Sequence, residues 1–207
     1  MTPNEVIEKA LSFKHGGMSA GELSWLYDFC KGKKVIELGC MVGQSSYVIA
    51  SVCDRITCVD AWDDSFEHLS HSPAQLEVYK NDWVNHLPDI SMMDAFILHC
   101  ASFIESGKLA FVQGKTEEVK NHFSSNTADI LLIDADHEYE GVKKDIDNYL
   151  HTVKQEGIVL FHDYGKDGYW TGVTEAADEA VAAGKLKYLF SYERIGVFKN
   201  INNFTEA

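Results

Sequence analysis

Two short stretches late in the chain bring carboxylates and imidazoles together: Asp134-Ala135-Asp136-His137 and His162-Asp163. These side chains transfer protons near neutral pH and hold divalent cations, so acid–base or metal-assisted chemistry is what they could perform. A third stretch has a different character. Gly39-Cys40-Met41-Val42-Gly43 is a turn with glycine at both ends, placed between apolar Val35-Ile36-Glu37-Leu38 and the helix-like Ser45-Ser46-Tyr47-Val48-Ile49-Ala50. Strand, glycine turn and helix in that order bring backbone close to a ligand and aim helix N–H groups at it. Asp60, seventeen residues beyond Gly43, ends the next apolar run. A carboxylate there can accept both hydroxyls of a ribose.

The elements that must hold these groups are legible in the hydrophobic pattern. Apolar runs of about four residues recur at 35–38, 56–59, 109–112, 130–133 and 158–161. None alternates with polar residues, which is how strands buried on both faces of a parallel sheet read. Helical spacing falls between them, at 45–52, 117–123 and 138–154. In the last, Val142, Ile146, Tyr149, Leu150 and Val153 form one stripe, with Lys143, Lys144, Asp145 and Asp147 expected in water.

A further helix at 172–183 precedes Tyr188-Leu189-Phe190 and Ile195-Gly196-Val197-Phe198. Their short connection, 191–194, suits an antiparallel hairpin. Ahead of the first strand, 4–14 has helical spacing, and Ser19 with Glu22 makes a capping box for a second helix that Gly32 ends. The pattern predicts a doubly wound α/β fold in one domain over 1–207, with 1–33 as a helical cover. Residues 61–105 are too long for a simple crossover. Helices are expected at 74–86 and 92–105, as a lid over the strand ends or as extra core packing.

Composition narrows the partners. A 207-residue chain with 45% hydrophobic and 24% charged residues can bury a full core. Its formal net charge is −14, with no basic run. That argues against nucleic acid or an anionic membrane as the main partner and leaves a small molecule as the expected one. The five cysteines contain no Cys-x-x-Cys pair and read as buried free thiols, which fits a reducing cytoplasm. No apolar run approaches the ~20 residues of a membrane span, and the first ten residues lack an apolar secretion segment. Oligomeric state is not legible.

The glycine turn discriminates between nucleotides. A dinucleotide fingerprint needs Gly-x-Gly-x-x-Gly, and position 41 is Met. No Gly-Lys-Ser/Thr closes the turn, so it is not a phosphate-binding P-loop either. The turn resembles the first motif of class I S-adenosylmethionine-dependent methyltransferases. Glu37-x-Gly39-x-x-x-Gly43-x-Ser45 is similar to the branch holding catechol and caffeoyl-CoA O-methyltransferases, which likewise lacks the middle glycine. The resemblance runs over roughly 19–199 and takes in four further segments: Val59-Asp60-Ala61-Trp62, Ile133 through Val142, Gly157 through Tyr164, and Gly172-Val173. The second and third are similar to a sub-family that includes sugar and natural-product O-methyltransferases.

That resemblance implies a seven-stranded sheet and S-adenosyl-L-methionine as cofactor. By it, Glu37, Gly39, Cys40, Gly43 and Ser45 would line the methionine part, Asp60 with Ala61 would hold the ribose, and Asp134 would also touch the cofactor. Trp62 would lie against cofactor or acceptor, and Gly114-Lys115-Thr116 would flank the adenine. The acceptor would be a small hydroxylated molecule. A sugar or phenol hydroxyl is a poor nucleophile at neutral pH and wants a base, a metal or both. Metal-dependent relatives place ligands where Asp134 and Asp163 stand, while His162 stands where some carry an acid; the three suit Mg²⁺ or Mn²⁺ with waters, or a softer metal. His137 matches the general base of the sugar-methylating relatives, with Asp134 beside it.

Plainer roles compete. Asp136 or His137 can N-cap the helix near 138, with Glu140 reaching back. His162-Asp163 can close a strand end with a satisfied hydrogen bond. Tyr164, Tyr169 and Trp170 serve as an acceptor wall or as packing, and His68, His71, His86 and His151 read as solvent-facing or locally bonded. Two other functions share the same fold logic: a nicotinamide-dependent oxidoreductase, and a metal-binding relative that has lost methyl transfer.

Overall fold

The structure, a computed structural model, describes residues 1–13, 15–63, 90–165 and 170–202. Expectations for the helix at 74–86, for His68, His71 and His86, and for Tyr169 lie outside them.

Seven strands form one sheet in the order β3-β2-β1-β4-β5-β7-β6. They are β1 Lys34–Leu38, β2 Arg55–Asp60, β3 Leu109–Gln113, β4 Ala128–Ile133, β5 Val153–Phe161, β6 Leu186–Tyr192 and β7 Ile195–Asn200. The first five run parallel, and β7 inserts antiparallel between β5 and β6. Two residues join β6 to β7, since Tyr192 pairs directly with Ile195. That is shorter than the expected connection because β6 continues past its apolar run through Ser191 and Tyr192.

Helices cover both faces, which is why the strands carry no polar alternation. One face packs against α1 (Pro3–Leu11), α2 (Ala20–Phe29), α3 (Gln44–Val52) and α4 (Met92–Glu105) through Val35, Ile56, Ile130 and Leu132. The other packs against α5 (Thr116–Val119), α6 (Tyr139–Tyr149) and α7 (Thr171–Ala182) through Ile36, Leu38, Leu131 and Ile133. Both N-terminal helices open on capping boxes, Thr2 with Glu5 and Ser19 with Glu22. Gly32 follows α2 with φ +67, a conformation that favours glycine.

Several boundaries differ from the pattern for identifiable reasons. The helix expected over 138–154 ends at Tyr149, a 3₁₀ turn covers Leu150–Thr152, and Val153 already begins β5. The apolar stripe runs on because Leu150 and Val153 are buried in the same core as Val142 and Ile146. β5 therefore starts five residues before the apolar run at 158; Ala128 pairs with Val153, and a register shift follows before Ile130. The helix expected over 117–123 is one short α-helical turn, α5, and a 3₁₀ turn at Lys120–His122. Asp145, expected in water, is buried. Among the described residues no helix is long and apolar enough to cross a membrane. All five cysteines are buried and free.

Candidate active site

The carboxyl ends of β1, β2, β3, β4 and β5 open on one cavity of about 580 Å³, a size suited to a small ligand. Each strand delivers a different chemical group to it.

At the end of β1 the turn is held in a form only glycine takes easily. Gly39 and Gly43 both have φ +83, and a Cβ on Gly39 would lie 2.1 Å from the backbone oxygen of Asp134. β1 and β4 thus approach too closely for any side chain. Asp60 braces the turn from β2. Its Oδ2 accepts the N–H groups of Cys40 (2.7 Å) and Met41 (2.8 Å), and its Oδ1 that of Trp62 (2.7 Å). A carboxylate has about four acceptor positions, so one remains for a ribose hydroxyl.

Trp62 does not line the cavity. It is 5% exposed, packs on Phe96 and Phe111, and donates its indole N–H to Met41 O at 2.8 Å. Glu37 is also behind the wall, fully buried, accepting Ser45 Oγ and Ser46 Oγ at 2.5 Å each. Burial pushes its pKa up to about 7 against the pull of those hydroxyls. Gly39, Cys40, Met41 and Val42 of the turn line the cavity, as do Gln44 and Ser45 after it; Gly43 does not and is backed by Phe96 and Cys100. Ala61, Lys115 and Thr116 line it, and Gly114 does not.

The ends of β4 and β5 carry the ionisable cluster. Backbone bonds from Asp134 N to Leu38 O (2.8 Å) and His162 N to Ile133 O (3.1 Å) zip the three strand ends together. His162 Nδ1 lies 3.1 Å from Asp134 Oδ1 and 3.2 Å from Asp163 Oδ2. His137 Nε2 lies 3.2 Å from Asp163 Oδ2 and 3.6 Å from Asp134 Oδ1. Asp163 adopts φ +58, uncommon for a non-glycine residue and a mark of a constrained position.

Two residues that the sequence pattern did not assign to the site complete this cluster. Glu22, 0% exposed, reaches from α2 to His162 Nε2 (3.4 Å) and Arg194 Nη2 (3.0 Å). Arg194, in the β6–β7 turn, also holds Asp163 Oδ1 at 2.7 Å. The capping box hid the first because it explained Glu22 completely at the local level; only the packing of α2 beside β7 shows the second use. Arg194 stood in a turn with no motif to mark it.

Three acids thus face three basic groups, and their pKa values move accordingly. Burial works against charge on every member. For His137 the flanking Asp134 and Asp163 outweigh it and raise the pKa to about 9. His162 is raised well above its usual value by Asp134, Asp163 and Glu22 against the same burial. Burial would raise Asp163, but the two histidines hold it well below the carboxylate range, and Asp134 is lowered the same way. Glu22 goes down to about 2, with His162, the Ser19 N–H and Arg194 overcoming burial.

Among the plainer roles, neither Asp136 nor His137 caps α6: Glu138 is the N-cap, without a side-chain bond, and Asp136 Oδ1 accepts the Glu138 N–H at 3.0 Å. Tyr164 is a packing residue, bonded to Asp178 and set against Tyr188 and Phe198. Trp170 lines the cavity, its ring 4.9 Å from His137. His151 is locally placed, 3.4 Å from Phe123 O.

The antiparallel β7 separates this sheet from the all-parallel dinucleotide-binding order. Solved structures share its fold. One described as a candidate caffeoyl-CoA O-methyltransferase from Staphylococcus aureus superposes with TM-score 0.64 at 13% identity, covering 97% of this chain and 92% of that one. The SAH-bound methyltransferase PaMTH1 of Podospora anserina gives 0.60 at 15%, covering 96% and 87%. Protein R132 of Acanthamoeba polyphaga mimivirus is 38% identical over 79 residues, 36% of this chain and 35% of that protein, so the match spans about a third of the relative's length. A family model described as a methyltransferase domain matches residues 36–164, from the middle of β1 to beyond the end of β5. Over more than half its length, then, this chain belongs to the S-adenosylmethionine-dependent methyltransferase family.

Proposed function

We propose that this protein transfers a methyl group from S-adenosylmethionine to a hydroxyl oxygen of a small acceptor, a sugar or a hydroxylated natural product. The observation that carries the reading is one cavity lined by two chemically distinct groups of residues. The glycine turn, Asp60 and Thr116 make up one group, and Asp134, His137, His162 and Asp163 the other. The first suits a nucleoside joined to an amino acid; the second suits a hydroxyl that must lose a proton.

In the reaction the acceptor oxygen attacks the sulfonium methyl carbon, the carbon–sulfur bond breaks with its pair going to sulfur, and the hydroxyl proton leaves. His137 is the group that takes that proton. Its Nε2 faces Asp163 Oδ2 at 3.2 Å, so the imidazolium formed is held by a carboxylate already in position. His137 accepts that proton in its neutral form; Asp134 and Asp163 raise its pKa to about 9, so the active form, and with it turnover, is expected to increase as pH rises toward that value.

Asp134, His162 and Asp163 offer ligand atoms within 4.8 Å of one another, and Arg194 takes Asp163 Oδ1 while leaving Oδ2 toward His162. Two carboxylates and an imidazole fit Mn²⁺ or Mg²⁺ with water completing the shell. A divalent ion held there would polarise the acceptor oxygen and take up the carboxylate charge that otherwise keeps His137 protonated.

Calorimetry of the folded protein with S-adenosylmethionine and S-adenosylhomocysteine is the direct test, and absence of binding by both overturns the reading. Release of S-adenosylhomocysteine across a panel of hydroxylated acceptors, with and without chelator, then identifies the acceptor class and the metal requirement.

A further inference from the structure

His162 is 3% exposed and presents a different ring edge to each side. Nδ1 faces Asp134 Oδ1 and Asp163 Oδ2, at 3.1 and 3.2 Å. Nε2 is buried without a formed hydrogen bond among the described residues, and Glu22 Oε1 stands 3.4 Å from it. Glu22 is 0% exposed and is not among the residues that line the cavity.

The carboxylate of Glu22 is clamped from several sides. Its Oε2 accepts the Ser19 N–H at 2.8 Å and Arg194 Nη2 at 3.0 Å. Its Oε1 accepts the Arg194 backbone N–H at 3.3 Å, and the same oxygen faces His162 Nε2. Arg194 is held in turn, donating Nη1 to Asp163 Oδ1 and Nη2 to Gly17 O, each at 2.7 Å. Glu22 is therefore set in place by the fold, and the imidazole must adjust to it.

Where the ring carries its proton decides whether it can serve an ion. A neutral imidazole has one N–H and one lone pair. Asp134 and Asp163 attract the N–H to Nδ1, and a ring in that form has no lone pair to offer between the two acids. A buried carboxylate at Nε2 favours the opposite form, with the N–H on the far edge and the Nδ1 lone pair toward Asp134 and Asp163. Once the charge of those two acids is engaged by a divalent ion, Glu22 is the acid left to hold the proton.

We propose that Glu22 is a positioning residue for the metal site: it holds the Nε2 proton of His162 and thereby makes Nδ1 a ligand. The proposal rests on the divalent-ion reading above and goes beyond it by naming the side chain that orients the imidazole. The capping box does not compete with this role, because Oε2 serves Ser19 and Oε1 faces the ring.

The test loads the whole protein with Mn²⁺ and reads electron spin echo modulation, which detects a directly bound imidazole nitrogen, beside the Mn²⁺ affinity from calorimetry. The wild-type protein is expected to bind Mn²⁺ and to show one such nitrogen, lost in His162→Ala. That variant is needed because His137 Nε2 also lies near Asp163. Glu22→Gln is nearly isosteric. Its amide oxygen serves the Ser19 N–H and Arg194 Nη2, which turns the amide NH₂ toward Nε2 and drives the ring proton to Nδ1. This variant is expected to lose the bound nitrogen and to bind Mn²⁺ ~10–100-fold more weakly, with circular dichroism unchanged. Glu22→Asp keeps the charge beside Arg194 and draws it back from the ring; it is expected to lose the nitrogen too, and it answers the question if Glu22→Gln does not fold.

Wild-type protein that binds Mn²⁺ with no bound nitrogen overturns the proposal without any variant, as does a nitrogen that survives in His162→Ala. Retention of the nitrogen in either Glu22 variant also overturns it, because a merely structural role lowers affinity and leaves the ligand set alone. Absence of Mn²⁺ binding by the wild-type protein is a different result, which refutes the metal reading itself and the proposal with it.

Discussion

Asp60 reaches across from β2 to accept the backbone N–H groups of Cys40 and Met41 on a single carboxylate oxygen, at 2.7 and 2.8 Å. The acid expected to hold a ribose is therefore also the brace of the turn that would hold the methionine part. Both ends of the proposed cofactor depend on one side chain. Asp60→Asn is expected to weaken S-adenosylhomocysteine binding by about tenfold or more and to lower stability by about 2 kcal/mol, since hydrogen bonds to a charged acceptor are worth ~1.5–3 kcal/mol each. Calorimetry and urea denaturation on the same variant measure the two effects; affinity lost with stability intact would separate the roles.

Gly39 permits the contact between β1 and β4 on which the cavity is built. A methyl at this position meets the Asp134 backbone oxygen at 2.1 Å and forces a φ of +83 on an L-residue. Gly39→Ala is expected to cost ~3 kcal/mol or more, as overpacking and backbone strain combine. The midpoint of urea unfolding reads it directly, with Gly107→Ala as a control for strain alone. Gly107 has φ +71 and nothing within 4 Å of its Cβ.

Glu37 and Glu22 are both buried, and their pKa values move in opposite directions. Glu37 goes up from 4.5 to about 7, so the folded state holds its proton more tightly than the unfolded state between those values. Its contribution to stability is complete below pH 4.5 and is lost as pH rises through about 7. Glu37→Gln is expected to remove this slope, which amounts to ~3 kcal/mol over the window. Asp145, raised from 3.8 to about 7, contributes a slope of the same sign that remains in the variant.

Glu22 goes down from 4.5 to about 2, so its contribution is present above pH 4.5 and lost as pH falls through about 2. Glu22→Gln keeps the capping-box geometry, because Gln serves at that position as Glu does. The variant is expected to be less stable than the wild type by ~3 kcal/mol at pH 7, with the gap closing toward pH 2. Chemical denaturation at a series of pH values tests both glutamates; parallel curves for variant and wild type would refute the assigned shifts.

His137→Ala addresses the proposed reaction. Loss of a general base lowers turnover by ~10²–10⁴. S-adenosylhomocysteine affinity is expected to change by no more than about twofold, because His137 contacts Asp134, Asp163 and Trp170, within the group assigned to the acceptor. Single-turnover rates with an acceptor found by screening, set beside calorimetric affinities, check the separation.

How far the sequence reaches depends on how local each signal is. Four-residue apolar runs without alternation are a direct consequence of burial on both sheet faces, so β1 through β4 were placed to within a residue or two. Where an apolar stripe crossed from helix to strand, as at Leu150 and Val153, periodicity could not tell one element's end from the next one's start. The glycine turn, Asp60, Asp134, His137, His162 and Asp163 were visible because each stands at a strand end, and strand ends are fixed by local pattern.

What the chain order could not supply is which distant residues face those ends. Glu22 and Arg194 are 172 residues apart and meet because α2 lies beside the β6–β7 turn. Asp145 belongs by spacing to the wet side of α6, and contact between that helix and the Thr116 turn draws it inward. Trp62, adjacent to the right acid, packs behind the wall because Phe96 and Phe111 offer more apolar contact there. The sequence by itself determined the strands, the turn and the reactive types at their tips. The tertiary structure decided which charges meet, because hydrophobic packing sets the distances over which charges act.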